Sequence, residues 1–291
     1  LGVRVLPLIS GLIRQETPMP LDVSPHASNR LAVVDSDIHP AIKSLGAAIP
    51  SFGNATTEGS GRTMPPRSNF MNELQQLRDN LLIMASIVYQ QMTDAIDALQ
   101  FGKLDDARRI IEMDLDVNRR RFMLEDAILT LIATQQPMAG DMRFLAGSLE
   151  IISELERIGD YAKGNARIAI MLGKESGVPM PPELREMCDA ALEMLRRAID
   201  AFMRGDVEEA RAIPEADDAV DDLYNEINHQ LINMVMVNPN RMTYANLYSW
   251  AAHNIERTAD RATNVCERTI YMVTGEMREI DAGEHAISGI N

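Results

Sequence analysis

The stretch from Leu149 to Asp160, which reads Leu-Glu-Ile-Ile-Ser-Glu-Leu-Glu-Arg-Ile-Gly-Asp, sets the pattern of the chain. It ends in Glu-Arg-Ile-Gly-Asp, and the same order of Glu, Arg and Asp recurs from Glu256 to Asp260, 100 residues later. In a helix, residues i and i+4 lie on one face, with Cβ atoms roughly 6 Å apart. Two carboxylates at this spacing repel each other, so each pair needs a cation, a basic partner or solvent to offset the repulsion.

The first acidic pair continues a face that is turned partly inward, because Leu149 and Ile152 precede Glu156 at helical spacing. Glu150 and Glu154 point elsewhere on the helix and are expected to be solvated. An inward-leaning acidic row suits hard cations that bind through oxygen.

A salt-bridged face neutralised by Arg157 and Arg257 is the alternative interpretation of these acids. For a single acidic pair this alternative would be favoured. The repetition of the motif shifts the balance toward a cation site.

Composition restricts the class of protein. The chain has 291 residues, of which 46% are hydrophobic and only 4% aromatic, and its 19 Met accompany long Leu, Ala, Glu and Arg stretches, which indicates helices. No apolar run approaches the roughly 20 residues of a membrane span. A net charge of −15 argues against a general nucleic-acid binder. Cys188 and Cys266 are too few for a disulfide framework and fit buried side chains in a reducing cytoplasm.

The first part of the chain differs from the rest. Residues 1–63 are rich in Pro, Ser, Thr, Gly and Asn and are predicted to form a disordered or loosely attached extension. Their five basic and five acidic residues cancel, so the whole net charge lies in residues 64–291. Met64 stands just before the helical part, which is consistent with an over-extended reading frame.

Hydrophobic residues at spacings of three and four predict six helices after this extension. They run from Ser68 to Gly102, from Leu104 to Gln135, from Asp141 to Gly173, from Leu184 to Gly205, from Asp206 to Asn238, and through Trp250 to Gly275. A Pro- and Gly-rich linker near residues 174–182 separates two sets of three helices, which predicts domains over 68–173 and 181–275 and a frayed tail over 276–291.

The two sets are related by an internal repeat. Gly102-Lys-Leu-Asp-Asp-Ala-Arg aligns with Gly205-Asp-Val-Glu-Glu-Ala-Arg at an offset of 103 residues. Pro214 replaces Ile111 in this alignment and lacks an N–H, so the fifth helix is predicted to kink or restart there. The expected fold is all-α, with two tandem antiparallel three-helix bundles related by the repeat.

Acidic residues on the second and fifth helices complete each motif. If neighbouring antiparallel helices face each other, two rows of about four oxygen donors form. The rows are Asp114, Asn118, Glu156 and Asp160 in the first bundle, and Asp217, Asp221, Glu256 and Asp260 in the second. Such rows suit Mg, Mn, Ca or Fe, and the second row, with four carboxylates, is predicted to bind metal more strongly.

Two histidines are further candidates for metal binding. Glu226 and His229 match the Glu-x-x-His motif of di-iron proteins, but the first repeat has no second copy, so a polar surface role is favoured for His229. His253 lies three residues before Glu256 and is the better ligand candidate. No phosphate-binding Gly-rich loop, Cys cluster or nucleophile motif is present, so the chain is not expected to be an enzyme.

Four segments resemble the PhoU family of phosphate-signalling regulators. They are Leu131–Arg143, Leu155–Asp160, Val220–Tyr224, and Ile255-Glu256-Arg257 with Asp260-Arg261. The resemblance covers roughly residues 68–275 and implies two tandem three-helix PhoU domains. It also implies multinuclear metal sites of divalent or trivalent ions (Mg, Mn, Fe or Zn) at the eight acidic-row residues named above. Asn118, and Thr258-Ala259 in place of Ile-Gly, depart from the family pattern.

The resemblance further implies a cytoplasmic negative regulator of phosphate uptake and phosphate-starvation signalling. Its expected partners are the ATPase of the phosphate ABC transporter and the phosphate-sensing histidine kinase, with homodimers expected from the family. Direct nucleic-acid binding is not expected, and membrane association would be indirect. Two alternatives stay open at this point, a carboxylate-bridged metalloenzyme and a metal-free helical adaptor.

Overall fold

We describe the fold from a computed structural model, which covers residues 66–174 and 177–276. The extension predicted for residues 1–63, and all but the first residue of the tail predicted for 276–291, lie outside these ranges. Within the described ranges the regular structure is helical and contains no strand, which confirms the all-α prediction.

The first repeat forms three long helices, α1 (Pro66–Phe101), α2 (Leu104–Gln135) and α3 (Ala139–Leu172). The apolar stripe predicted on α1 is buried throughout, from Leu74 to Leu99. Gly102 ends α1 with a positive φ of 63°, a conformation that glycine adopts without steric cost.

The second repeat contains α4 (Glu183–Arg204), α5 (Val207–Ala212), α6 (Asp217–Val237) and α7 (Met242–Thr274). Short 3-10 turns at Ile213–Ala216 and Pro239–Arg241 precede α6 and α7. The apolar stripe predicted on the fourth helix is buried throughout α4, from Leu184 to Phe202. This repeat therefore follows the first, except that its middle helix is divided into α5 and α6.

The division of the middle helix lies at Pro214, as the sequence predicts. The Asp206 side chain caps α5 by accepting a hydrogen bond from the backbone N–H of Glu209, with an N···O distance of 3.1 Å. Pro214 occupies the 3-10 turn, and helical structure resumes at Asp217. Because proline cannot donate the backbone hydrogen bond, the chain restarts the helix there and places Asp217 in its first turn.

The two helices that carry the repeated motif, α3 and α7, lie at the centre of the described structure. Helices α1 and α2 pack on α3, helices α4, α5 and α6 pack on α7, and α3 and α7 pack on each other. The Phe144 and Phe202 rings stack across the repeats with centroids 5.3 Å apart. The tandem three-helix arrangement is confirmed, and the direct packing of α3 on α7 is a feature that the sequence did not predict.

Candidate functional site

The residues of the first acidic row lie on α2 and α3, and a lysine lies among them. Lys163 Nζ on α3 lies 2.5 Å from Asp114 Oδ2 on α2 and 3.6 Å from Asp160 Oδ1. Asn118 Nδ2 donates to the same Asp114 oxygen over 3.3 Å. Asp114 is buried, so it needs a partner that satisfies its charge, and Lys163 supplies one.

An arginine neutralises the remaining acid of the first row. Arg121 Nη1 on α2 lies 3.2 Å from Glu156 Oε1 on α3, and Arg121 Nε donates to Glu125 Oε1 over 2.8 Å. The pKa of Arg121 is raised, mainly by its hydrogen bond to Glu125, so the guanidinium stays positively charged. Each carboxylate of the first row therefore contacts a basic side chain of this chain.

The second acidic row lies on α6 and α7 and is dominated by mutual repulsion. Burial, followed by the charges of Asp221, Asp260 and Glu256, raises the pKa of Asp217 to about 6. Burial and the charge of Asp260 raise the pKa of Asp221 as well. The restart after Pro214 places Asp217 in the first turn of α6, where the charges of Asp260 and Glu256 on α7 act on it.

Glu256 is affected both by a repelling carboxylate, Asp260, and by a neighbouring histidine, His253. Its pKa is raised by burial and by Asp260, and the neighbouring His253 acts in the opposite direction. His253 Nδ1 lies 3.1 Å from Glu256 Oε2, and this oxygen is buried. Arg261 lies 3.7 Å from Asp260 and is shared with Glu154, which it approaches more closely at 3.2 Å.

The donor chemistry of the two rows differs in its fit to a metal ion. The second row offers four carboxylates with raised proton affinity in three of them, which suits a hard cation. The first row already holds Lys163 and Arg121 against its acids and does not fit in the same way. Within residues 66–174 and 177–276, no three His, Cys, Asp or Glu side chains converge as a preformed metal-binding group.

The histidines and cysteines are placed differently from the acidic rows. His253 is exposed beside Glu256, where it could add a nitrogen donor, whereas His229 is exposed on α6, in keeping with the surface role favoured for it. Cys188 and Cys266 are free and buried, and burial raises the pKa of each thiol to about 12. Neither thiol is a nucleophile or a metal ligand at neutral pH.

The expectation that Glu154 is solvated is wrong, and the alternative in which Arg157 and Arg257 neutralise the acidic pairs is not supported. The side chain of Glu154 is only 12% exposed. Its carboxylate accepts hydrogen bonds from Arg157, Arg261 and Asn264. Arg157 is therefore bound to Glu154, and the guanidinium of Arg257 lies over the Tyr161 ring at 5.0 Å. The two arginines of the motif do not neutralise the acidic pairs.

Sequence reasoning missed Lys163 and Arg121, although a signal was available. Lys163 follows Asp160 by three residues on α3, and Arg121 follows Asn118 by three residues on α2. Both spacings place a basic side chain on the same helical face as the acidic row.

Comparison with known proteins identifies the family. The family model for the PhoU domain matches the chain twice, over residues 81–169 and 184–269. The chain is 35% identical over 207 residues to the phosphate-specific transport system accessory protein PhoU of Edwardsiella tarda, an alignment that spans 71% of this chain and 85% of the relative. The chain belongs to the PhoU family.

Further PhoU proteins support the same assignment. The Escherichia coli K12 accessory protein PhoU is 34% identical over 71% of this chain and 86% of its own length. The crystal structure of PhoU from Pseudomonas aeruginosa superposes with a TM-score of 0.66 at 32% identity, over 71% of this chain and all of that one. The PhoU of Streptococcus pneumoniae, a phosphate transport system regulatory protein, gives a TM-score of 0.67 at 27% identity, over 72% and 100%. Both PhoU repeats therefore have known structural counterparts.

Within the part of this PhoU-family chain that the structure describes, no helix is both long enough and apolar enough to cross a membrane.

Proposed function

We propose that this chain regulates phosphate transport, as an accessory protein that lowers phosphate uptake and phosphate-starvation signalling. One observation carries the proposal. Phosphate-specific transport accessory proteins match it across both repeats, at 35% identity over 85% of the Edwardsiella tarda protein. The proposed partners are the ATPase of the phosphate ABC transporter and the phosphate-sensing histidine kinase. In this proposal the protein is a homodimer that binds them in the cytoplasm and catalyses no reaction of its own.

Exposed apolar side chains on α2 support a protein-binding role. Leu115, Phe122 and Leu129 are 62%, 63% and 57% exposed and recur every seven residues, so they form one row along the helix. Large apolar groups that recur on one exposed face are typical of surfaces that bind other proteins. This row, named here the α2 apolar row, is the surface that we assign to partner contact.

The second acidic row is proposed to hold a hard metal ion, with Asp217, Asp221, Glu256 and Asp260 as its oxygen donors. A bound cation would offset the repulsion that raises the pKa values of this row. His253, beside Glu256, would add a nitrogen donor. In this proposal the metal joins α6 to α7 by neutralising carboxylates of both helices, and partner contact stays with the α2 apolar row.

The test of the regulatory role is deletion of the gene in its own host, followed by complementation. Under phosphate-replete conditions we expect faster uptake of labelled phosphate and derepression of phosphate-starvation genes, and both should return to normal with the intact gene. Complementation with Leu115→Gln, Phe122→Gln and Leu129→Gln together should fail if the α2 apolar row binds the partners. Unchanged uptake and gene expression in the deletion strain would refute the proposal.

A further inference from the structure

The two acidic rows differ most at two positions that carry positive charge only in the first repeat. The α3 and α7 motifs align at an offset of 100 residues, which pairs Lys163 with Thr263. The α2 and α6 helices align at an offset of 103, which pairs Arg121 with Tyr224. Each replacement keeps the half-buried environment of its counterpart but removes a basic group.

In the first repeat both basic groups act directly on the row. The ammonium of Lys163 lies between Asp114 and Asp160, at 2.5 Å and 3.6 Å, which is the position from which a bound cation would contact carboxylates of both helices. The side chains of Lys163 and Asp114 are 22% and 7% exposed, so their attraction is only weakly screened by water. Arg121 holds Glu156 in the same way at 3.2 Å.

In the second repeat the equivalent side chains supply no charge. The buried Oγ1 of Thr263 receives no hydrogen bond, and the Tyr224 ring faces His253 with centroids 6.5 Å apart. The guanidinium of Arg261 contacts Asp260 only at 3.7 Å and is also engaged by Glu154 at 3.2 Å. Among the described residues, the ion pairs of the second row are therefore limited to Arg261 with Asp260 at 3.7 Å and His253 with Glu256 at 3.1 Å, and neither involves an α6 carboxylate.

We infer that Lys163 and Arg121 are built-in counter-ions that take the place of a metal ion in the first acidic row, so that this chain binds metal through its second row alone. The statement about the second row rests on the proposed function, whereas the statement about the first row stands without it. The two repeats thus differ in that the first row is neutralised by side chains of the chain itself and the second depends on a free cation.

The test measures Mn²⁺ binding by equilibrium dialysis to the full chain and to matched variants. Asp217→Asn with Asp221→Asn should weaken Mn²⁺ binding by at least about tenfold, and Asp114→Asn should leave it unchanged. Lys163→Met with Arg121→Met should create a second class of Mn²⁺ site, which addition of Asp114→Asn should remove. Mn²⁺ that survives in the second-row variant and is lost with Asp114→Asn would overturn the inference.

A transplanted lysine provides the converse variant. Thr263→Lys should weaken Mn²⁺ binding at the second row and raise the melting temperature of chelator-treated protein, because the lysine would neutralise Asp260 as Lys163 does Asp160. Thr263→Lys protein that binds Mn²⁺ as the wild type does would contradict the counter-ion role.

Two outcomes separate this inference from the proposed function. Wild-type protein that binds no Mn²⁺ would refute the metal part of the proposed function, and the counter-ion role would still be decided by the Lys163→Met and Arg121→Met variant. A gain of Mn²⁺ binding in that variant supports the role. No gain, in protein whose helical circular dichroism is intact, overturns it.

Discussion

At the residue scale, the ionisation of Asp217 couples the second acidic row to pH. Its pKa is raised from 3.8 to about 6, so the folded chain binds this proton more tightly than the unfolded chain does. The ionised carboxylate therefore destabilises the fold above about pH 6, and this cost diminishes as the pH falls toward the ordinary pKa and disappears below it. Because Asp217 is only about half-buried, solvent screening reduces the cost to about 1 kcal/mol.

We therefore expect Asp217→Asn to stabilise chelator-treated protein by about 1 kcal/mol at about pH 7.5, because the amide removes one repelling charge. The gain should shrink as the pH is lowered through 6 and vanish below about 4. Urea unfolding at several pH values measures the effect, with Asp126→Asn, an exposed substitution on α2, as the control. An equal gain at every pH would show that charge repulsion is not the cause.

A second prediction concerns metal at the same row. Divalent metal should stabilise the chain by mass action, by about 2.7 kcal/mol at a concentration 100 times the dissociation constant, and chelator should reverse the effect. Glu256→Ala should reduce this stabilisation, and Asn118→Ala should leave it unchanged, because Asn118 lies in the first row, whose acids already contact Lys163 and Arg121. Thermal unfolding with and without Mn²⁺ is the measurement. A melting curve that neither Mn²⁺ nor chelator moves would favour a metal-free helical adaptor.

At the element scale, α2 presents two different faces, a buried one against α3 and the exposed α2 apolar row. The Gln variant of Leu115, Phe122 and Leu129 should keep its melting temperature, since exposed positions contribute little burial energy and Gln is a good helix former. The same variant should lose binding to the purified transporter ATPase. The control variant carries Arg109→Gln and Asp116→Asn, two substitutions at exposed positions of α2, and it should bind the ATPase normally. Retained binding by the Gln variant would exclude the α2 apolar row as the partner surface.

At the scale of the whole molecule, polar contacts join the repeats along α3 and α7. Asn254 Nδ2 donates to the buried Asn165 Oδ1 over 2.9 Å, and Glu154 joins Arg157 of its own helix to Arg261 of the other repeat. A Cβ on Gly164 would lie 2.9 Å from Asn254 Nδ2, so a residue without a side chain allows this close approach.

Glu154→Gln should destabilise the chain by about 1–2 kcal/mol, because it leaves the poorly exposed Arg261 without its closest charge partner. Glu150→Gln is the matched control. Glu150 forms one ion pair with Arg268 at 2.6 Å and is 46% exposed, so its loss should cost less than about 1 kcal/mol. Urea unfolding of both variants decides the matter, and equal losses would mean that burial of Glu154 does not strengthen its contacts.

Removal of residues 1–63 should leave the melting temperature nearly unchanged. The composition of the extension lacks a core-forming pattern, and the described residues form their own buried apolar cluster from Phe70 to Ile270. Calorimetry of the shortened chain beside the full chain is the measurement. A fall of several degrees would show that the extension docks on the helices.

The amino-acid sequence by itself determined the helices, their ends, the repeat, the restart at Pro214 and the family. These features depend on local periodicity, on backbone conformations that glycine and proline favour or forbid, and on similarity along the chain. The sequence also predicted that Asp217, Asp221, Glu256 and Asp260 would approach one another, since the charged motif recurs with its partner row.

Only the tertiary structure decided which of the acids are neutralised. Asp114 meets Lys163 from 49 residues away, and Glu154 meets Arg261 from 107 residues away. Such pairs depend on how neighbouring helices rotate and how far long basic side chains reach between them, and helical spacing within one segment does not contain that information. For the same reason the packing of α3 on α7, and the difference between a self-neutralised first row and an open second row, emerged only in three dimensions.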